Sequence, residues 1–234
     1  MRCCHEGLGL LPQSLPWVVY VNHASWWDPL VGLILKDALF PRRQLYAPIE
    51  HRAVERYALL KRMGFFGVEA GTTRGAIQFL RAADKILAKS DAVLSITPQG
   101  KFVDCRERPL RFDSGLGALA TRCPRACFLP VAVEYVFWEE RLPEILVRFG
   151  RPSIVCRGRE ANGWSGNPSA WTERFEAELT EAQDALAEAA RRRDPAEFRT
   201  LLRGGAGQGG VYDLGRALKS WMQGKPFRRE HGLK

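Results

Sequence analysis

His23 and Asp28 are the pair of side chains in this chain best suited to move a proton. They belong to the run Trp17-Val18-Val19-Tyr20-Val21-Asn22-His23-Ala24-Ser25-Trp26-Trp27-Asp28. Its β-branched start predicts a buried strand that ends at an imidazole, with a carboxylate following shortly after. In such a pair the imidazole takes a hydroxyl proton, while the carboxylate fixes its tautomer and stabilises the imidazolium. A plainer role is also open. Asp28 precedes Pro29, and an acid before proline commonly starts a helix by capping free N–H groups. His23 would then be only a polar loop residue. One carboxylate has lone pairs enough for both tasks.

A second chemical segment is Ser95-Ile96-Thr97-Pro98-Gln99-Gly100-Lys101. It reads as a strand running into a glycine turn, and such a turn exposes backbone N–H groups beside a cation, an arrangement suited to an anion. Lys101, Arg106 and Arg108 are expected to supply the positive charge. Further segments are Gly64-Phe65-Phe66-Gly67-Val68-Glu69, Arg111 to Ala120, Leu129-Pro130-Val131-Ala132-Val133 and Val147 to Pro152.

In order, from Val18 to Pro152, these segments resemble the motifs of the glycerolipid acyltransferase family, the 1-acylglycerol-3-phosphate acyltransferases and their relatives. Asn22, His23, Ser25 and Asp28 match the pattern Asn-His-x-Ser-x-x-Asp without a gap. Ser95 to Lys101 is similar to Phe-Pro-Glu-Gly-Thr-Arg, with Gln99 in place of the glutamate. Arg111 to Ala120 resembles Phe-Lys-x-Gly-x-x-x-Leu-Ala, with Asp113 where a lysine is usual. Gly64 to Glu69 keeps the strand of Gly-x-x-Phe-Ile-Asp-Arg, but Ala70 stands at the arginine position and Arg74 follows a few residues on.

The resemblance implies an α/β fold with a central, largely parallel sheet flanked by helices. It implies transfer of an acyl chain from an acyl thioester, acyl-CoA or acyl-carrier protein, to the hydroxyl of a lipid acceptor such as a lysophospholipid. His23 and Asp28 would be catalytic. Asn22, Ser25, Arg74, Thr97, Pro98, Gln99, Gly100 and Lys101 would bind substrate. No cofactor is expected beyond the thioester co-substrate. Transfer would be direct, without an acyl-enzyme, and the chain has no Gly-x-Ser-x-Gly nucleophile elbow. The glutamine at position 99 weighs against glycerol phosphate as acceptor. It also keeps open a non-catalytic lipid-binding or membrane-scaffold homologue, and an acyl-thioester hydrolase is a further alternative.

The elements that must hold these residues follow from hydrophobic period. After the first strand, helices are predicted over Pro29 to Ala38, Ala53 to Met63, Gly75 to Ala88 and Ser114 to Thr121. In the third of these, Ile77, Leu80, Ile86 and Leu87 are the core candidates. Strands are predicted over Leu45 to Pro48, Phe65 to Val68, Ala92 to Thr97, Cys127 to Val133 and Ile145 to Phe149. A long helix from Asn167 to Arg193 carries Trp171, Phe175, Leu179 and Leu186 on one face. Residues 1–203 would form the acyltransferase domain, and 204–234 a Gly-rich linker with a basic amphipathic tail.

The chain has 234 residues, a net charge of +9 and a pI near 9.5. That surplus favours anionic partners, here an anionic membrane surface, and the absence of nucleic-acid-binding signatures argues against nucleic acid. The apolar patch Leu8 to Leu11 is too short for an export leader. No apolar run reaches the roughly 20 residues that span a bilayer. A cytoplasmic protein held peripherally on the inner face of the membrane is expected. The six cysteines are read as thiols, and Cys3-Cys4-His5 with Cys123 and Cys127 lacks the spacing of a metal site. Trp26, Trp27, Phe65 and Phe66 could line an acyl entrance, with core packing favoured for Trp26.

Overall fold

A computed structural model describes residues 1–4, 9, 11–138 and 142–204. The segment from 205 onward, with the expected basic tail, lies outside them. The order of elements is β1 (Arg2–Cys3), β2 (Trp17–Val21), α1 (Asp28–Leu39), β3 (Gln44–Glu50), α2 (His51–Arg56), α3 (Ala58–Arg62), β4 (Phe65–Val68), α4 (Thr73–Leu87) and β5 (Ala92–Ile96). There follow α5 (Gly115–Arg122), β6 (Ala126–Val136), β7 (Glu144–Phe149), β8 (Ser153–Cys156), β9 (Arg159–Glu160), α6 (Pro168–Arg192) and β10 (Arg199–Thr200).

Among the described residues one mixed sheet runs in the order β10-β1-β7-β6-β2-β5-β3-β4, with β8 and β9 branching from β6. Its centre is parallel: β2 pairs with β5 and β6, and β3 pairs with β5 and β4. The protein is therefore α/β, with a mostly parallel sheet flanked by helices. β2 is apolar throughout because it is covered on both faces, as parallel strands are. Trp17, Val19 and Val21 join one core with Val31 and Leu35 of α1. Val18 and Tyr20 join the other, with Phe79 of α4, Leu116 of α5 and Phe175 of α6.

α1 packs on one face and α4 on the other, and the right-handed rule for crossovers between parallel strands puts the α2–α3 pair on the face of α1. The predicted single helix from Ala53 to Met63 is instead two, broken at Tyr57, whose backbone is extended. Residues six apart on one helix point about 120° away from each other. The break lets Val54 be buried while Leu60 still lines the cavity described below. In α4, Phe79, Ala83, Ile86 and Leu87 form the buried stripe, whereas Ile77 is 47% exposed. Ile77 lies off that stripe, so its place in the predicted core is corrected. In α6, Trp171, Phe175, Leu179 and Leu186 are all buried.

Candidate active site

β2 and β5 lie side by side and parallel, with Tyr20 opposite Ile96. Their C-terminal ends therefore deliver Asn22-His23 and Thr97-Pro98-Gln99 to the same edge, where α/β sheets place ligands. The Gln99 side-chain oxygen accepts from the His23 backbone N–H at 2.8 Å, so the two segments are directly joined. Asn22 is buried, and its amide makes a two-point clamp on β6. Nδ2 donates to the Val133 carbonyl at 2.9 Å, and the Val133 N–H donates to Oδ1 at 2.8 Å. That amide holds the sheet together rather than facing the cavity.

His23 Nδ1 lies 2.8 Å from Asp28 Oδ2. The same oxygen accepts from the Ser25 N–H at 3.0 Å, and the other carboxylate oxygen accepts from the Tyr135 hydroxyl at 2.6 Å. Asp28 is 8% exposed, so these partners replace its lost water. Asp28 does not cap the helix in the expected way. Trp27 occupies the cap position without a side-chain bond, and Asp28 opens the first turn ahead of Pro29. There the positive end of the helix favours its charge. The Ser25 hydroxyl accepts from the Trp27 N–H at 3.3 Å. Ser25 thus braces the turn. Burial first, and then the Asp28 carboxylate, push the Tyr135 phenol well above its usual range, so it stays protonated and able to donate.

Phe102 packs on the imidazole, with ring centroids 4.3 Å apart, and the Val103 N–H donates to the His23 carbonyl at 2.8 Å. With Nδ1 turned to Asp28, Nε2 is the remaining nitrogen of a side chain that lines a cavity of about 1270 Å³. Val19, Val21, Val31, Leu35, Val93 and Val131 make part of its apolar wall. Thr97, Pro98, Gln99, Gly100 and Lys101 line it near the imidazole, together with Asp113. The turn is tight: Gly100 has φ +66°, and a Cβ there would come 2.4 Å from the Asp113 carboxylate. Only glycine fits that position without strain.

The structure does not bring every expected residue to the cavity. The Arg74 side chain is 76% exposed and faces Glu69 at 3.7 Å, outside the lining. Position 74 opens the surface side of α4, so the site gains no guanidinium there. Arg106 pairs with Asp104, and Arg108 pairs with Asp184 and the Cys105 carbonyl. Neither lines this cavity, and Lys101 is the basic residue of that loop that does. Trp26 is 64% exposed, against the expectation of core packing. Phe65 is buried and lines the cavity, while Phe66 turns to the opposite core.

Tyr135 and Phe102 were not foreseen. Tyr135 shares the face of Val131 and Val133 by strand alternation, but only the register of β6 on β2 puts its hydroxyl beside Asp28. Among the described residues no cluster of three or more His, Cys, Asp or Glu is placed to hold a metal, and the cysteines are unpaired by disulfides. No family model matches this chain, and no curated protein matches it.

Proposed function

We propose that the protein is an O-acyltransferase of the glycerolipid acyltransferase type, moving an acyl chain from a thioester to a lipid hydroxyl. The observation that carries this reading is the His23–Asp28–Tyr135 chain of hydrogen bonds ending at a large, mainly apolar cavity. His23 Nε2 takes the proton of the acceptor hydroxyl as its oxygen attacks the thioester carbonyl. Asp28 balances the imidazolium that forms, and Tyr135 and the Ser25 N–H hold Asp28 in place. The tetrahedral oxyanion then collapses, the C–S bond breaks, and the thiol leaves with the proton returned from His23. The apolar walls suit an acyl chain, and the Thr97–Lys101 turn sits where the acceptor's polar end would meet the base.

Gln99 bears on the scaffold alternative. It replaces an acid yet still ties the turn to the His23 backbone, as an amide oxygen can. Its presence is therefore compatible with a working site. The acyl donor and acceptor would come from the cytoplasmic side of a membrane, with the protein bound peripherally. No helix among the described residues is long and apolar enough to cross one.

Lipid mass spectrometry on cells expressing this chain and its His23→Ala variant tests the reading. A lipid class that gains an acyl chain only with His23 intact is expected, with the rate falling about 10²–10⁴-fold in the variant. Free fatty acid release without acyl transfer would support the hydrolase instead. Identical lipidomes with both proteins folded would leave only the scaffold.

A further inference from the structure

Two tryptophans beside the base stand in water. Trp26 is 64% exposed, Trp27 48% and Leu30 40%, and the two indoles stack with centroids 4.2 Å apart. Exposed apolar groups clustered at a cavity rim mark an interaction surface, and indoles favour the boundary between water and lipid. The α2–α3 pair carries exposed groups of the same kind. Tyr57 is 53% exposed and Leu59 64% exposed. Pro29 and Gly32 line the cavity from α1, and Leu60 lines it from α3. Trp27 and Leu30 are thus chain neighbours of the lining residues Asp28, Pro29 and Val31, and Leu59 of Leu60. Because α1 and the α2–α3 pair share one face of the sheet, these groups lie on one side of it.

The charge on that face is as specific as its apolar groups. Arg52, Arg56, Lys61 and Arg62 are all exposed on α2 and α3, where the acid Glu55 faces His51 at 3.1 Å, and on α1 the exposed Asp37 is paired with Lys36. The other face of the sheet is covered along much of its length by α6, which carries six acids against three arginines, with Glu173, Glu181, Asp184 and Glu188 exposed. On the same face α4 carries Arg74, Arg81 and Lys85 against Asp84, so the helices behind the sheet are near balance while α2 and α3 are net positive.

We propose that the α1/α2–α3 face lies on an anionic lipid bilayer. Trp26, Trp27 and Leu30 enter the interface, and the cations of α2 and α3 meet lipid headgroups. The cavity then opens directly onto the lipid; that purpose rests on the acyl-transfer reading above. An acidic soluble partner would account for the cations but not for stacked indoles beside an apolar cavity. A bilayer accounts for both.

The test uses the full chain with vesicles of phosphatidylcholine, with and without phosphatidylglycerol. Affinity is read by co-sedimentation, and depth by quenching of tryptophan fluorescence with lipids brominated on the acyl chain. The Trp26→Phe/Trp27→Phe variant should keep its melting temperature and lose most of the quenching. The Arg56→Gln/Lys61→Gln variant should bind about fivefold more weakly for each cation removed, the deficit shrinking as salt rises. Unchanged quenching in the first variant, or wild-type affinity in the second, would overturn the orientation. So would binding only to an acidic carrier protein, or dimerisation that shields the indoles without lipid. The His23→Ala chain should bind vesicles as the wild type does. A failure of catalysis is thereby read apart from a failure of docking.

Discussion

The Asp28 carboxylate receives three contacts from three different kinds of group: an imidazole, a backbone N–H and a phenol. Losing the phenol would leave a buried oxygen short of a donor, and hydrogen bonds to charged groups are worth about 1.5–3 kcal/mol. Tyr135→Phe should therefore lower kcat by roughly tenfold or more with little change in KM, because the phenol touches the acid rather than the substrate. Steady-state kinetics on the folded variant checks this, and a change confined to KM would place Tyr135 in binding instead. The phenol's raised pKa has a defined sign. A proton held more tightly in the native state adds stability below about pH 10, and that stability is lost only as the pH rises through the higher native value. Between neutral pH and about pH 10, the profiles of wild type and Tyr135→Phe should run parallel, with no limb due to this group. The His-Asp pair was legible in the sequence because it is local, separated by five residues. Tyr135 was not, since its distance of 107 residues is closed only by strand register.

At the scale of elements, the Asn22 clamp fastens β2 to β6 next to His23. Asn22→Ala would leave the buried N–H and carbonyl of Val133 unpartnered, costing about 2–3 kcal/mol of stability. Denaturant unfolding should show it, as a lower midpoint with an unchanged slope. The family pattern pointed to Asn22 as a substrate contact; the side chain's actual partners lie on a strand 111 residues away, which no local pattern reveals. The close approach of α5 to α6 is a second test. A Cβ on Gly117 would come 2.1 Å from the Pro168 carbonyl, so Gly117→Ala should destabilise by about 1–3 kcal/mol, as overpacking does. The strands β2 to β7 and the longer helices were readable from hydrophobic period, because buried strands and amphipathic helices write it plainly, whereas the short strands β1, β8, β9 and β10 carry too few residues to show one. The break at Tyr57 was not readable: Ala53 to Met63 contains neither glycine nor proline, and its result, Val54 buried with Leu60 at the cavity, shows only in the fold.

For the molecule as a whole, the described residues form three apolar clusters about the sheet, and several thiols belong to them. Burial pushes Cys3, Cys123 and Cys127 up to about 12, whereas Cys156 is exposed. Alkylation of the native protein near neutral pH should label Cys156 first and these three only on unfolding, since the thiolate is the reactive form. Peptide mapping after a timed pulse of iodoacetamide reads this directly. Early labelling of Cys127 would mean that β6 opens from β2. That opening matters beyond stability. Residues up to Lys101 already contain every position of the two main motifs, yet the phenol that braces the acid arrives only with β6. During refolding the imidazole and carboxylate can meet as soon as their own short loop closes. If the acyl-transfer reading holds, full turnover must wait for a closure over 107 residues. Recovery of activity would then be a stopwatch for β6 docking, and it should lag any signal from the local loop.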